Sequence, residues 1–227
     1  MLNILAVGPH PDDVELGMSG SILKFTEAGH QVTIVDLTDG EPTPHGDPET
    51  RKKESVKSSR ILGIEERITL DFPNRYLQDE IEVRQELAEV IRKIQPDILF
   101  APYWIDAHPD HVAASKICDA ARFYGKLTKT EMQGKPFYVK KIYYYIASHL
   151  KLNFKPSFVM DISKVMEMKI ETIRCYESQF GPSPEGHQLF EWLLNSNRYW
   201  GNIIGTEFAE PFICREEIGI KNFEALF

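Results

Sequence analysis

The chain has 227 residues, 42% hydrophobic and 26% charged, the profile of a soluble globular protein large enough to bury its own core. A formal net charge of -8 excludes the global cationic field that gathers nucleic acid, though local basic groups can still hold a small anion. Three cysteines with no C-x-x-C pair argue against a disulfide framework and for buried thiols in a reducing compartment. With no signal-like leader and no apolar run of membrane-spanning length, a soluble cytoplasmic protein without a membrane partner is expected.

Ile4-Leu5-Ala6-Val7 is too short for a helix and reads as a buried strand, stopped by Gly8-Pro9. Met18, Ile22 and Phe25 fall at helical spacing, and Ala28-Gly29 closes that helix. Gln31 to Leu37 is a second, β-branched strand, followed by a polar loop with Pro42, Pro44 and Gly46. Asp47-Pro48-Glu49 is a helix start: a cap, a first-turn proline, then an acid where the dipole favours it. That helix is expected to end at Gly63, with a short strand over Ile68 to Leu70 beyond it. Val83, Leu87, Val90, Ile91 and Ile94 form one apolar stripe of a helix that Pro96 ends, and Ile98 to Ala101 is another strand. This alternation predicts an α/β, Rossmann-like fold, mostly parallel, with helices on both faces.

Further on, Ala113, Ile117, Ala121 and Tyr124 mark a helix, and Lys141 to Ile146 and Phe158 to Ile162 read as strands. Ser163 is placed as the cap of a helix carrying Met166, Ile170 and Ile173. After Gly181 the pattern gives a loop, one helix near Gln188 to Asn197 and an irregular tail. No repeat or linker divides the chain, so a single domain over 1–227 is expected, with 1–125 as its core and 126–227 completing the sheet and pocket.

Two strand ends carry chemistry. After the first come His10, Asp12 and Asp13; after Ile98–Ala101 come His108, Asp110 and His111. Asp12 or Asp13 alone could be a helix cap, but capping needs one carboxylate and leaves the histidine unexplained. His108 and His111, three apart, share a face if helical, and Asp110 is available to orient an imidazole. In an open α/β sheet, ligands bind beyond the carboxyl ends of the strands, so the two clusters are expected to meet there.

Those motifs resemble a known family, the LmbE-like (PIG-L) zinc-dependent deacetylases of N-acetylglucosamine conjugates. The resemblance rests on His10-Pro11-Asp12-Asp13-Val14-Glu15, Thr38-Asp39-Gly40-Glu41, Arg51 with Glu54, and His108-Pro109-Asp110-His111. Tyr176-Glu177-Ser178-Gln179-Phe180 and Arg198-Tyr199-Trp200 extend it and look most like the bacillithiol-pathway branch acting on N-acetylglucosaminyl malate. Ala107 and Asn74 depart from residues common there, away from the expected ligands.

The resemblance implies that His10, Asp13 and His111 bind Zn2+ at the strand ends. The chemistry agrees, since two histidines and a carboxylate form a catalytic zinc set with an open position. Asp12 is then expected as general base. His108, held as a cation by Asp110, would stabilise the oxyanion or protonate the leaving amine. A cation so early in a helix opposes the dipole, which suggests another reason for Arg51, and the resemblance implies substrate contact at the active-site rim. The implied products are acetate and a free amino sugar, and relatives' trimers or hexamers imply a homo-oligomer. Inositol or diacetylchitobiose conjugates would need the same chemistry.

Two other classes compete. A nucleotide-binding Rossmann protein would use Asp36 as its ribose acid, but lacks G-x-G-x-x-G, and Asp12 and Asp13 would repel a pyrophosphate. An inactive zinc module for carbohydrate binding would not need Asp12 and His108. Asp36 is expected to be structural, His30 and His187 to lie at the surface, His149 to be a candidate for the pocket wall, and His45 to close over the site.

Overall fold

The computed structural model describes residues 1–220. In chain order the elements are β1 (Asn3–Gly8), α1 (Asp13–Glu27), β2 (Gln31–Thr38), α2 (Pro48–Leu62), β3 (Glu66–Phe72), α3 (Ile81–Ile94), β4 (Ile98–Pro102) and α4 (Pro109–Gly125). There follow β5 (Lys141–Tyr145), β6 (Phe158–Asp161), α5 (Met166–Arg174), α6 (Glu177–Phe180), α7 (Pro184–Ile204) and β7 (Ala209–Ile213). Seven strands form one sheet in the order β3-β2-β1-β4-β5-β7-β6. β1 pairs in parallel with β2 and β4, β2 with β3, and β4 with β5, while β7 runs antiparallel to both neighbours. The α/β, mostly parallel architecture expected from the sequence is the one observed.

Alternation along β1 divides the core. Leu5 and Val7 face one side with Leu87 and Ile91 of α3 and Ile117 and Ala121 of α4. Ile4 and Ala6 face the other with Met18 and Ile22 of α1 and Met166 and Ile170 of α5. Strand order reverses between β1 and β4. That reversal opens a crevice at their carboxyl ends, where the helices leave in opposite directions.

The second half departs most from expectation. Part of the supposed irregular tail is strand β7, and α7 runs well beyond 188–197; residues 221–227 lie outside the described part of the chain. Strand β7 carries Pro211 and the charged Glu210 within a wholly buried pattern, which hides it from a periodicity reading. Ser163 does not cap α5. Its hydroxyl donates to Asp161 Oδ1 (2.7 Å) and accepts the amides of Glu207 and Phe208, and the helix starts at Met166 after a single tight turn. Of the thiols, Cys118 is buried, but Cys175 and Cys214 are only half-buried.

The first helix is broken at Met18, whose φ of -151° is not helical. A buried ion pair serves the groups on either side of the break. Lys169 donates to the Leu16 carbonyl (3.0 Å) and to Glu210 (2.7 Å), while Glu210 accepts the amides of Gly20 (2.9 Å) and Ser21 (2.7 Å). Lys169 and Glu210 are both fully buried. Lys169→Met leaves the Glu210 charge without its cation, so it should cost about 3–5 kcal/mol, read as a lower urea midpoint. A midpoint unchanged from wild type would show that the ion pair is not needed to hold the break.

Candidate functional site

The crevice beyond β1 and β4 gathers His10, Asp12, Asp13, His108, Asp110 and His111 from segments about a hundred residues apart. His10 lies 3.0 Å through Nδ1 from Asp13 Oδ2, and 3.2 Å through Nε2 from Asp110 Oδ2. His111 lies 3.3 Å through Nε2 from Asp13 Oδ1, and 2.8 Å through Nδ1 from Asp106 Oδ2. Each imidazole therefore turns one nitrogen to Asp13 and gives the other to a carboxylate of its own.

This is the arrangement that fixes tautomer and ring orientation in histidine metal ligands. Ligand atoms of His10, Asp13 and His111 all lie within 4.8 Å of one another, in buried positions. Two imidazoles and a carboxylate suit a divalent transition ion such as Zn2+ that keeps a position open, so the residues fit the expected metal.

Burial works against the cation on both rings, but the carboxylates outweigh it. Hydrogen bonds to Asp110 and Asp13 lift His10 to about 9; the charge of Asp13 and the bond to Asp106 lift His111 to about 10. Burial opposes the charge of Asp13 too, yet the two imidazoles hold its carboxyl well below the usual range. In Asp12, by contrast, burial prevails over the neighbouring Arg51 and pushes the carboxyl up to about 7.

Asp12 occupies the cap position of α1 without capping it: its side chain makes no capping hydrogen bond, and its φ of 123° is in the left-handed region. A strained non-glycine backbone held at a cleft is a mark of functional placement. Its Oδ2 instead meets Arg51 Nη2 at 3.0 Å. Arg51 is not at the rim as expected; it is 3% exposed, and its Nε and Nη1 have no partner among the described residues. The guanidinium rests against Gly40, whose φ of 77° suits glycine and where a Cβ would stand 3.1 Å from Nη2.

The expected pairing of His108 with Asp110 is not formed. The Asp110 carboxylate is committed to His10 and to the Arg75 amide (2.7 Å), and His108 Nδ1 accepts the backbone N–H of Asp110 (3.2 Å). Burial, then the charges of His10 and His111, lower the His108 pKa. These effects work against the expected cation, and because Nδ1 accepts the Asp110 amide, the ring's own proton sits on Nε2.

Sequence reading missed Asp106. Its Oδ1 accepts the amides of His108 (3.0 Å) and His149 (3.1 Å), while its Oδ2 holds His111. The available signal was a carboxylate five residues before the second histidine of HPDH. It also gave no role to Arg75, held at φ 69° with its amide on Asp110.

The cavity, about 510 Å³, is lined by His10, Asp12, Asp13, Arg51, His108 and His111, and also by Asn74, His149, Gln179 and Trp192. His149, a candidate for the wall, lines it, whereas His45 is exposed and does not. His187 is exposed, and Asp36 is buried against Arg67 as a structural acid. Segment 176–180 is fastened to the first half: Tyr176 donates to Glu15 (2.7 Å), Ser178 to Glu54 (2.7 Å) and Gln179 to Thr43 (3.0 Å).

Residues 5–122 match the family model described as PIG-L: GlcNAc-PI de-N-acetylase. Diacetylchitobiose deacetylase of Thermococcus kodakarensis is 34% identical, the match covering 91% of this chain and 80% of that protein. A Bacillus anthracis protein named "Probable N-acetyl-alpha-D-glucosaminyl L-malate deacetylase 2" is 26% identical over 78% of this chain and 81% of its own. Among solved structures, the conserved protein TT1542 of Thermus thermophilus superposes with TM-score 0.90 and 38% identity, covering 98% of this chain and 99% of its own. The N,N'-diacetylchitobiose deacetylase of Pyrococcus horikoshii gives TM-score 0.81 and 27% identity over 99% and 88%. No helix among the described residues is long and apolar enough to cross a membrane.

Two outcomes follow from the paired imidazoles. Asp106→Ala should weaken Zn2+ binding about 10–100-fold, measured by competition with a chromophoric chelator, and unchanged affinity would remove its orienting role. Because the surrounding carboxylates raise His10 to about 9 and His111 to about 10, loading zinc at pH 7 should release protons, and apparent affinity should fall as pH drops. Calorimetry in buffers of different ionisation enthalpy counts those protons; a count of zero would contradict the assigned protonation.

Proposed function

Because this chain belongs to the PIG-L family of de-N-acetylases, we propose that it hydrolyses the acetamido group of an N-acetylglucosamine-containing sugar at the crevice between β1 and β4. The observation that carries the reading is the pair of carboxylate-oriented imidazoles sharing Asp13, with Asp12 and His108 beside them. In this reading His10, Asp13 and His111 hold Zn2+, which when bound polarises a carbonyl and lowers the pKa of water.

The remaining work falls to the protein. Asp12, buried and oriented by Arg51, takes a proton from the attacking water. His108 offers its Nε2–H to the oxygen that becomes negative as the carbonyl turns tetrahedral; a neutral donor can do this without first being charged. As the C–N bond breaks, the amine nitrogen receives the proton collected by Asp12, leaving acetate and a free amino sugar. Asp110 acts through His10 and the 75 amide. Arg51 lines the pocket, and its guanidinium keeps two buried donor nitrogens without a partner among the described residues, which suits the residue to a hydroxyl or carbonyl oxygen of the sugar.

A diacetylchitobiose-like disaccharide is the favoured substrate. The Thermococcus relative supports it over the malate conjugate suggested by the C-terminal motifs, being more similar across more of the chain. The test is acetate release by zinc-loaded protein from diacetylchitobiose, the malate conjugate and free N-acetylglucosamine, with the disaccharide expected to give the highest kcat/KM. Asp12→Asn should retain stoichiometric metal and lose roughly 10²–10⁴ in kcat. Full turnover in that variant, or no acetate from any sugar by wild type, would overturn the assignment.

A further inference from the structure

A second cavity, about 350 Å³, adjoins the catalytic pocket. The two share Leu16, Ile146, Leu150, Lys151 and Trp192 among their walls, so the pocket continues along α7. Beyond Trp192 the walls become aromatic: Tyr199, Trp200 and Phe154 line the second space. Trp200 is the inner member, with ring centroids 4.9 Å from Tyr199 and 5.2 Å from Phe154. Trp192 and Tyr199 remain 43% and 59% exposed, a large apolar area to leave in water beside a polar cleft.

A polar group completes the cavity wall. Asn197 is 5% exposed; its Nδ2 donates to the Ala209 carbonyl (2.9 Å), which fixes the amide orientation and leaves Oδ1 without a partner among the described residues. Among the described residues the walls hold no aspartate or glutamate, and Lys151 is their single cation. Aromatic faces with the Ser196 and Tyr199 hydroxyls and the amide oxygen of Asn197 suit a neutral ring bearing C–H faces and hydroxyls. A small dicarboxylate would find one lysine and no second cation.

We propose that this aromatic cleft along α7 is a second sugar subsite, holding the neutral ring attached to the N-acetylglucosamine residue under attack. The proposal rests on the deacetylase reading for the identity of the first ring. It places chain-length specificity in α7, on the C-terminal side of the fold, away from the metal-binding residues.

The test compares acetate release from N-acetylglucosamine, diacetylchitobiose and triacetylchitotriose by wild type, Trp192→Ala, Tyr199→Ala and Tyr199→Phe. The disaccharide-to-monosaccharide ratio of kcat/KM should fall roughly two- to tenfold in each alanine variant, through KM, and return in Tyr199→Phe. A ratio that stays at the wild-type value in both alanine variants overturns the proposal. So does an equal loss on both sugars accompanied by a change in oligomeric state, which would make this face a contact between copies of the chain.

Binding separates the subsite from the chemistry. Diacetylchitobiose should quench the tryptophan fluorescence of chelator-treated protein, since Trp192 and Trp200 border the cavity, and Tyr199→Ala should weaken that titration by a similar factor. If no sugar releases acetate but the quench and its loss persist, the subsite stands and the deacetylase reading falls. Acetate release with no quench removes the subsite alone.

Discussion

One carboxylate, Asp13, lies between two imidazoles that reach it from opposite ends of the catalytic half. His10 arrives on the loop after β1, and His111 in the first turn of α4, so the contact exists only because β1 and β4 are neighbours. Their adjacency is a property of the sheet, set by parallel pairing and by crossover helices covering both faces. Burial makes this arrangement demanding. Charged and polar groups removed from water must meet partners, and each ring nitrogen of His10 and His111 does so.

The same economy explains why neighbouring residues of similar chemistry do different things. Asp12 and Asp13 are adjacent, yet one is held strongly acidic by two imidazoles while the other is pushed towards neutrality by burial. The left-handed backbone at Asp12 turns its side chain away from the helix amides it could have capped and towards Arg51. His108 and His111 likewise diverge. Asp106 fastens His111 through Nδ1, whereas His108 accepts a backbone N–H at its own Nδ1. Environment, more than residue type, assigns the roles.

That distinction marks how far the sequence could be read. The strand ends were legible because a short apolar run followed by glycine or proline stops a strand wherever it occurs, and the acids and histidines come immediately after. Which carboxylate serves which imidazole was not legible. Asp110 is adjacent in sequence to the HPDH histidines but spends its side chain on His10, exactly one hundred positions away, and on the amide of Arg75. Arg51 was placed at the rim by resemblance, and helix periodicity says nothing of the Asp12 carboxylate that holds it across the cleft. Strand β7 was missed because its buried Glu210 and its Pro211 mimic loop composition.

Strand β7 also shows why the second half of the chain matters to a site built in the first. Glu210 collects the amides freed by the break in α1, and Lys169 of α5 takes the carbonyl on the other side of it. Just before the break Gly17 lies against the ring of Tyr145, where a Cβ would clash, and Tyr145 in turn donates to the Val7 carbonyl near the end of β1. Pro211 of the same strand lines the aromatic cleft, and the Ala209 carbonyl fixes the amide of Asn197. A single reversed strand therefore braces the helix that begins at Asp13 and the wall that extends the pocket. Residues with little periodic signal position both the chemistry and the space for its substrate.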